Sequence, residues 1–306
     1  MASQPEKDVS AEFPFTLESV SIAGSDIRYI DTVTSQSSSA PTLLFLHGNT
    51  SSSYVWRNII PSVSQFRCVA PDLIGMGASA KPVHLSYSFT DHYTFVSAFI
   101  KAIIPDGPIV IIAHDWGTAL GLHWAYQHQD RVAGLALMEF VRPFPEWKDF
   151  GDDETRKNWQ LFRDPVQGRK LIVDQNIILD KMLVHGARRG LSKAELEYYR
   201  EPFLKASTRE PIWKWTTQIP IAGEPTDVYD IATRYEAWLI RSDVPKLLFY
   251  YEDAPLVNGD KMRWYLGQMS NVVSVDVGEA GHFLQEDHPR RVSQEIRAWL
   301  GKGLDL

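Results

Sequence analysis

One stretch constrains the fold more than any other: Ile109-Val-Ile-Ile-Ala-His-Asp-Trp-Gly-Thr-Ala-Leu-Gly121. Five apolar residues end at Ala113, and a helical run opens after Gly117. A short apolar run without alternation reads as a strand buried on both faces of a parallel sheet. Between the run and the helix lies small–x–Asp–x–small, with Ala113 and Gly117 as the small residues. A sharp strand-to-helix turn needs such flanks, and it presents its central side chain at the helix N-terminus. That side chain is usually serine; here it is Asp115. Taken alone, Asp115 also reads as an ordinary helix N-cap, so the rest of the chain has to decide.

The remaining sequence repeats the strand-then-helix alternation. Apolar runs at Thr42–Leu46, Phe66–Ala70, Gly134–Met138, Lys246–Tyr250 and Val272–Val277 predict further buried strands. Helical spacing of apolar residues predicts helices over 91–104, 118–128 and 289–300. The fold class is therefore α/β, with a mostly parallel central sheet flanked by helices. Ahead of it, the pairs Val20/Ile22 and Ile27/Tyr29 around Gly24–Ser25 predict a hairpin, and the Ser-rich run 34–39 a short solvent loop. Residues 142–224 break the pattern. They hold no convincing buried strand and many aromatics, among them Phe144, Trp147, Trp159, Phe162, Tyr198 and Trp213. A helical insertion there would cover the carboxyl end of the strands, where open α/β sheets bind ligands.

Charge and hydropathy narrow the partners. With 31 basic and 38 acidic residues the net charge is -7, which leaves no electrostatic reason to bind nucleic acid or anionic lipid. No stretch approaches the roughly 18 uninterrupted apolar residues of a membrane span. Met1–Glu12 is polar and lacks the apolar centre of a signal peptide. The expectation is a cytoplasmic protein with no membrane partner, a monomer or weak homo-oligomer. The lone Cys68 reads as a small buried apolar residue rather than a nucleophile.

A nucleophile on such a turn needs a histidine late in the chain. His282, in Val277-Gly-Glu-Ala-Gly-His-Phe-Leu-Gln-Glu-Asp-His-Pro289, follows a predicted strand and precedes a predicted helix. It is the expected base. His288 and His128 read as exposed, and His47 and His114 as strand-end packing or structural hydrogen bonding. The acid that orients His282 is expected at Glu139, because a carboxylate at the end of a buried strand is unusual. The alternative, Asp253, sits in an exposed-looking acidic loop. The loop Leu46-His-Gly-Asn-Thr-Ser-Ser-Ser-Tyr54 should supply an oxyanion hole from the backbone N–H groups of Asn49 and Trp116.

These segments together resemble a known family. His47-Gly-Asn, Tyr54-Val-Trp-Arg57, Ala70-Pro-Asp-Leu-Ile-Gly-Met-Gly77, His114-Asp-Trp-Gly117, Met138-Glu-Phe-Val-Arg-Pro143, Tyr199-Arg-Glu-Pro-Phe203 and Gly281-His-Phe-Leu-Gln-Glu-Asp287 resemble the haloalkane dehalogenases of the α/β-hydrolase superfamily. The match spans about residues 13–300. Thr50 departs from it, standing where the family usually has proline. The resemblance implies an α/β-hydrolase core over 1–141 and 225–306 with a helical cap over 142–224. It implies nucleophile Asp115, base His282, acid Glu139 and halide ligands Asn49 and Trp116. It also suggests Trp159, Phe162, Leu256 and Phe283 as pocket walls.

The residue types suit that chemistry. A carboxylate can displace halide at saturated carbon and leave an alkyl ester. On an ester or amide it would form a strained anhydride instead. A halide leaving into an apolar cavity needs N–H donors. The expected partners are a small apolar halogenated substrate, water and halide. No metal or organic cofactor is expected, since no metal-ligand motif or dinucleotide fingerprint is present. Two other readings stay open. A coelenterazine-oxidising luciferase keeps the same five residues. An epoxide hydrolase would need two acidic donors on the cap, for which only the adjacent Tyr198 and Tyr199 offer themselves.

Overall fold

The computed structural model describes residues 4–6, 9–32 and 40–303. The expected Ser-rich loop at 34–39 lies outside them. Eight strands form one sheet: β1 Glu18–Ile22, β2 Ser25–Asp31, β3 Thr42–Leu46, β4 Cys68–Pro71, β5 Ile109–His114, β6 Val132–Met138, β7 Lys246–Tyr250 and β8 Val272–Asp276. Their spatial order is β1-β2-β4-β3-β5-β6-β7-β8. The β1–β2 and β2–β4 pairs are antiparallel, and every pair from β4 to β8 is parallel. Each of the six predicted apolar runs becomes a strand, with ends moved by at most two residues. The chain thus has an α/β-hydrolase architecture.

The hairpin turn differs from expectation by one residue. Ile22 pairs directly with Ser25, so the turn is Ala23–Gly24, both with positive φ (50° and 79°). Two left-handed residues match the twist of the flanking strands. Alanine rarely adopts that conformation, which is why the sequence pointed to Gly24–Ser25.

Every residue of β5 is buried, as are Leu43–Leu46 of β3, because helices cover both faces. Helix α1, Phe89–Ile103, starts in a capping box in which Ser88 and Asp91 exchange bonds with each other's backbone. It turns Phe89, Phe95, Val96, Phe99 and Ile100 inward. Helix α2, Trp116–Gln127, is buried almost all round, between the sheet and the helix Thr226–Arg241. Val228, Ala232, Tyr235 and Leu239 form the buried stripe of that helix.

Among the described residues no strand stands between Met138 and Lys246. The chain there forms α3, Asp153–Phe162, the helices Lys193–Arg200 and Glu210–Gln218, and several short turns. A buried ionic cluster ties the helix Lys193–Arg200 to the segments around Arg57 and Glu286. Glu286 takes both terminal nitrogens of Arg57 (2.5 and 2.9 Å), Nη2 of Arg189 (2.8 Å) and the Tyr199 hydroxyl (2.5 Å). Glu195 takes Arg57 and Arg189 as well, each at 2.5 Å. The side chains of all four charged residues are at most 6% exposed. Two cations thus face two anions, the arrangement that makes burial of charge tolerable.

Candidate active site

Strand β5 ends at His114, and α2 starts at Trp116, so Asp115 is the single hinge residue between them. It adopts φ 50° and ψ -127°, a conformation costly for a non-glycine residue and typical of functional turns. Small neighbours make the turn possible. A Cβ on Gly117 would collide with the Leu46 carbonyl, and one on Gly48 would overlap the Asp115 carboxylate. Asp115 makes no side-chain cap bond to α2, so the N-cap reading does not describe it.

The carboxylate is held from one side. The Asn49 backbone N–H donates to Asp115 Oδ2 at 2.9 Å, and the Trp116 backbone N–H lies beside the same carboxylate. Burial pushes the Asp115 carboxyl above its ordinary range, while nearby His282 and the two N–H groups pull it partway back. With Oδ2 engaged, Oδ1 is the oxygen free to react.

Glu139 follows the last residue of β6, is 2% exposed, and turns out of the strand with φ 46°. His282 Nδ1 lies 3.2 Å from Glu139 Oε2. That contact commits Nδ1 and leaves Nε2 as the nitrogen available to a water. Burial opposes a charge on His282, but the Glu139 hydrogen bond and the charge of Asp115 outweigh it, so its pKa is raised. Asp253 is exposed and has no place in this constellation.

The main chain of His282 is fixed too. His114 Nε2 donates to the His282 carbonyl at 2.8 Å, and burial keeps His114 uncharged. His47 is buried, its Nε2 accepting from the Leu73 N–H. Two histidines differ from expectation. His288 is 2% exposed and bonds the Glu279 carbonyl, and His128 is half-buried, stacked on Trp124. Each has a protein partner for a ring nitrogen, which lets it leave water.

Asp115, His282, Asn49 and Trp116 all line one cavity of about 190 Å³. Trp159, Leu256 and Phe283 are in its wall, with Phe150, Ile178, Met182, Leu183 and Ile219, which no motif marks. Phe162 is not among its lining residues. It packs edge-on against Trp159 and lines a neighbouring outer cavity of about 490 Å³. A third, charged cleft of about 1000 Å³ adjoins both, and Thr155 and Pro255 border all three. The 190 Å³ cavity is mostly apolar, its polar lining being Asn49, Thr50, Asp115, Thr155, Thr216 and His282.

The Trp116 ring is stacked on Trp215 with centroids 4.4 Å apart. The Asn49 side-chain amide donates one hydrogen to the Ile212 carbonyl (3.2 Å), which leaves one for the cavity. The two tyrosines of the helix Lys193–Arg200 stand elsewhere. Tyr198 stacks on Tyr54 at 3.9 Å, and the Tyr199 hydroxyl is given to Glu286. Neither lines the cavity, which removes the donors an epoxide-opening site would need.

Comparison with known proteins agrees with this geometry. A family model described as the α/β hydrolase fold matches residues 41–289. A haloalkane dehalogenase of Mesorhizobium japonicum is 39% identical over 284 residues, covering 92% of this chain and 90% of its own. One from Sphingobium indicum is 39% identical over 288 residues, covering 92% and 94%. The crystal structure of a haloalkane dehalogenase from Bradyrhizobium elkani superposes with a TM-score of 0.90 at 38% identity, over 95% of this chain and 99% of that one.

Proposed function

The chain belongs to the haloalkane dehalogenase family of the α/β-hydrolase fold, and from that premise we propose how its own residues carry out the reaction. It is a hydrolase acting on carbon–halogen bonds. The observation that carries the residue assignment is the shared cavity: a carboxylate whose Oδ2 accepts the Asn49 backbone N–H, facing a histidine oriented by a buried glutamate.

Asp115 Oδ1 attacks the carbon bearing the halogen in line. The C–O bond forms, the C–X bond breaks, and the halide leaves with the bonding pair. The Trp116 indole N–H and the remaining Asn49 amide hydrogen receive the anion, which an apolar cavity would otherwise reject. His282 Nε2 then takes a proton from water, and the hydroxide adds to the ester carbonyl carbon. Negative charge gathers on Oδ2, which already accepts the Asn49 N–H, with the Trp116 N–H as the second donor of the oxyanion hole. The intermediate collapses by expelling the alkoxide, which regains a proton from His282. Asp115, now a carboxylic acid carrying one water oxygen, loses its proton to solvent. Glu139 holds the His282 tautomer and stabilises its cation throughout. Residues 142–224 act as the cap that keeps bulk water from this sequence.

The substrate class is a small, largely apolar haloalkane, in keeping with the mostly apolar wall. No helix among the described residues is long and apolar enough to cross a membrane. The net charge of -7 argues against a nucleic-acid partner; a cytoplasmic location and a monomer or weak homo-oligomer complete the proposal.

The test is halide release from chloro-, bromo- and iodoalkanes, run beside a coelenterazine light assay. Halide release is expected, with turnover abolished by Asp115→Ala. His282→Phe should trap an alkyl adduct on the peptide containing Asp115. No halide from several chain lengths, or an adduct on another residue, refutes the assignment; light would favour the luciferase reading.

A further inference from the structure

Asp287, five residues after the base, has no role in the chemistry just described. It is fully buried, yet its carboxylate is engaged by backbone groups. Its Oδ2 accepts from the N–H groups of Gly281 (2.7 Å) and Arg188 (3.0 Å), and its Oδ1 from the N–H of Arg189 (2.8 Å). One side chain thus joins the residue before His282 to two residues of the cap. On the other side of His282, the Phe283 N–H donates to the Gly186 carbonyl at 2.8 Å. The two chains run so close that a Cβ on Gly281 would collide with that same carbonyl.

The amides on both sides of His282 are therefore anchored to the cap, while its own carbonyl and ring are anchored to β5 and β6. A carboxylate suits the task because it accepts at both oxygens. An amide in its place would present N–H to one of the three donors.

We propose that Asp287 is a positioning residue for the second half of the reaction: it locks the His282 loop to cap residues Gly186–Arg189 and keeps the base aimed at the ester. The proposal rests on the reading of Asp115 as nucleophile and His282 as base. It makes a specific kinetic claim, because His282 acts only after the alkyl ester has formed. Loosening the clamp should slow ester hydrolysis and leave alkylation intact. Since kcat/KM is set by steps up to alkylation, kcat and KM should fall together while kcat/KM holds.

The experiment uses Asp287→Asn, an isostere, and Gly281→Ala, which pushes the loop off the cap without touching Asp287. Each should lower kcat by about 10- to 100-fold, the cost of a misplacement near 1 Å. Each should also release one equivalent of halide in a burst and accumulate the alkyl adduct in the intact-protein mass. Asp31→Asn, which removes the carboxylate paired with Arg67 away from both the loop and residues Gly186–Arg189, should lower the melting midpoint without producing a burst. Parallel falls in kcat and kcat/KM with no burst, in both loop variants, would mean that Asp287 only supports folding and would overturn the proposal. A wild-type protein that releases no halide would overturn the reaction reading and this inference with it. A burst in the variants beside normal turnover in the wild type separates the two.

Discussion

Replacing Glu286 by glutamine tests whether the buried ionic cluster holds the helix Lys193–Arg200 in place. Glu286 accepts four hydrogen bonds, three from guanidinium groups and one from Tyr199. The substitution keeps the volume but leaves Arg57 and Arg189 facing Glu195 alone, so one positive charge is uncompensated. Breaking a buried pair in this way costs about 3–5 kcal/mol. At roughly 2.1 cal/mol/K per residue, a chain of 306 residues has an unfolding entropy of about 0.6 kcal/mol/K. The melting midpoint should therefore fall by about 5–8 °C. The assay is thermal unfolding followed by circular dichroism, at low and at high salt. Because the groups are buried, salt should change the loss little. A second substitution, Arg189→Met, restores one cation to one anion and should recover part of the stability, giving a coupling of about 0.5–3 kcal/mol. A midpoint shift under about 1 °C for Glu286→Gln, or strictly additive losses in the double variant, would refute the reasoning.

Other outcomes follow from the site. The raised pKa of His282 means that the free enzyme keeps its imidazole protonated to above the ordinary 6.5. Neutral His282 is needed for hydrolysis, so that step is lost as pH falls through the pKa of His282 in the alkyl-enzyme. In the alkyl-enzyme Asp115 is an uncharged ester and no longer raises His282. The acid limb of hydrolysis-limited kcat should thus lie below the His282 pKa measured by NMR in the free enzyme; coincidence of the two would count against the coupling. Trp116→Phe keeps the stack on Trp215 but removes the indole N–H. It should weaken halide binding and lower the rate of halide formation by about 10-fold or more, as loss of a charge-assisted hydrogen bond does, read by single-turnover halide release. Gly48→Ala should reduce alkylation sharply, because its methyl group overlaps the Asp115 carboxylate, with the melting midpoint measured alongside.

The parts of this protein written in local sequence were the readable ones. The strands announced themselves as apolar runs bounded by polar residues, and the Asp115 turn by its small flanks. The helix Thr226–Arg241 is not among the predicted helices, although Val228, Ala232, Tyr235 and Leu239 stand at helical spacing. Sequence reading stopped where burial depends on partners far along the chain. Glu286 and Asp287 look like surface acids in Gln-Glu-Asp-His. They are buried because Arg57 comes from 229 residues away and the Arg188 amide from 99. His288 was misread for the same reason, its partner being a carbonyl across a loop. The cavity wall from Ile178 to Leu183 has no motif, since an apolar residue serves a pocket or a core with the same side chain. Phe162 shows the converse: an aromatic one helical turn from Trp159 ends in the outer cavity instead.

The solitary thiol offers a different use of the fold. Cys68 lies at 0% exposure in β4, between β2 and β3, and burial pushes its pKa up to about 12. Folded protein should stay silent to maleimide, because neither reagent nor thiolate is available. Each labelled molecule therefore counts one opening of the sheet, and the labelling rate is an intrinsic clock for unfolding that needs no engineered probe and leaves the cavity at Asp115 untouched.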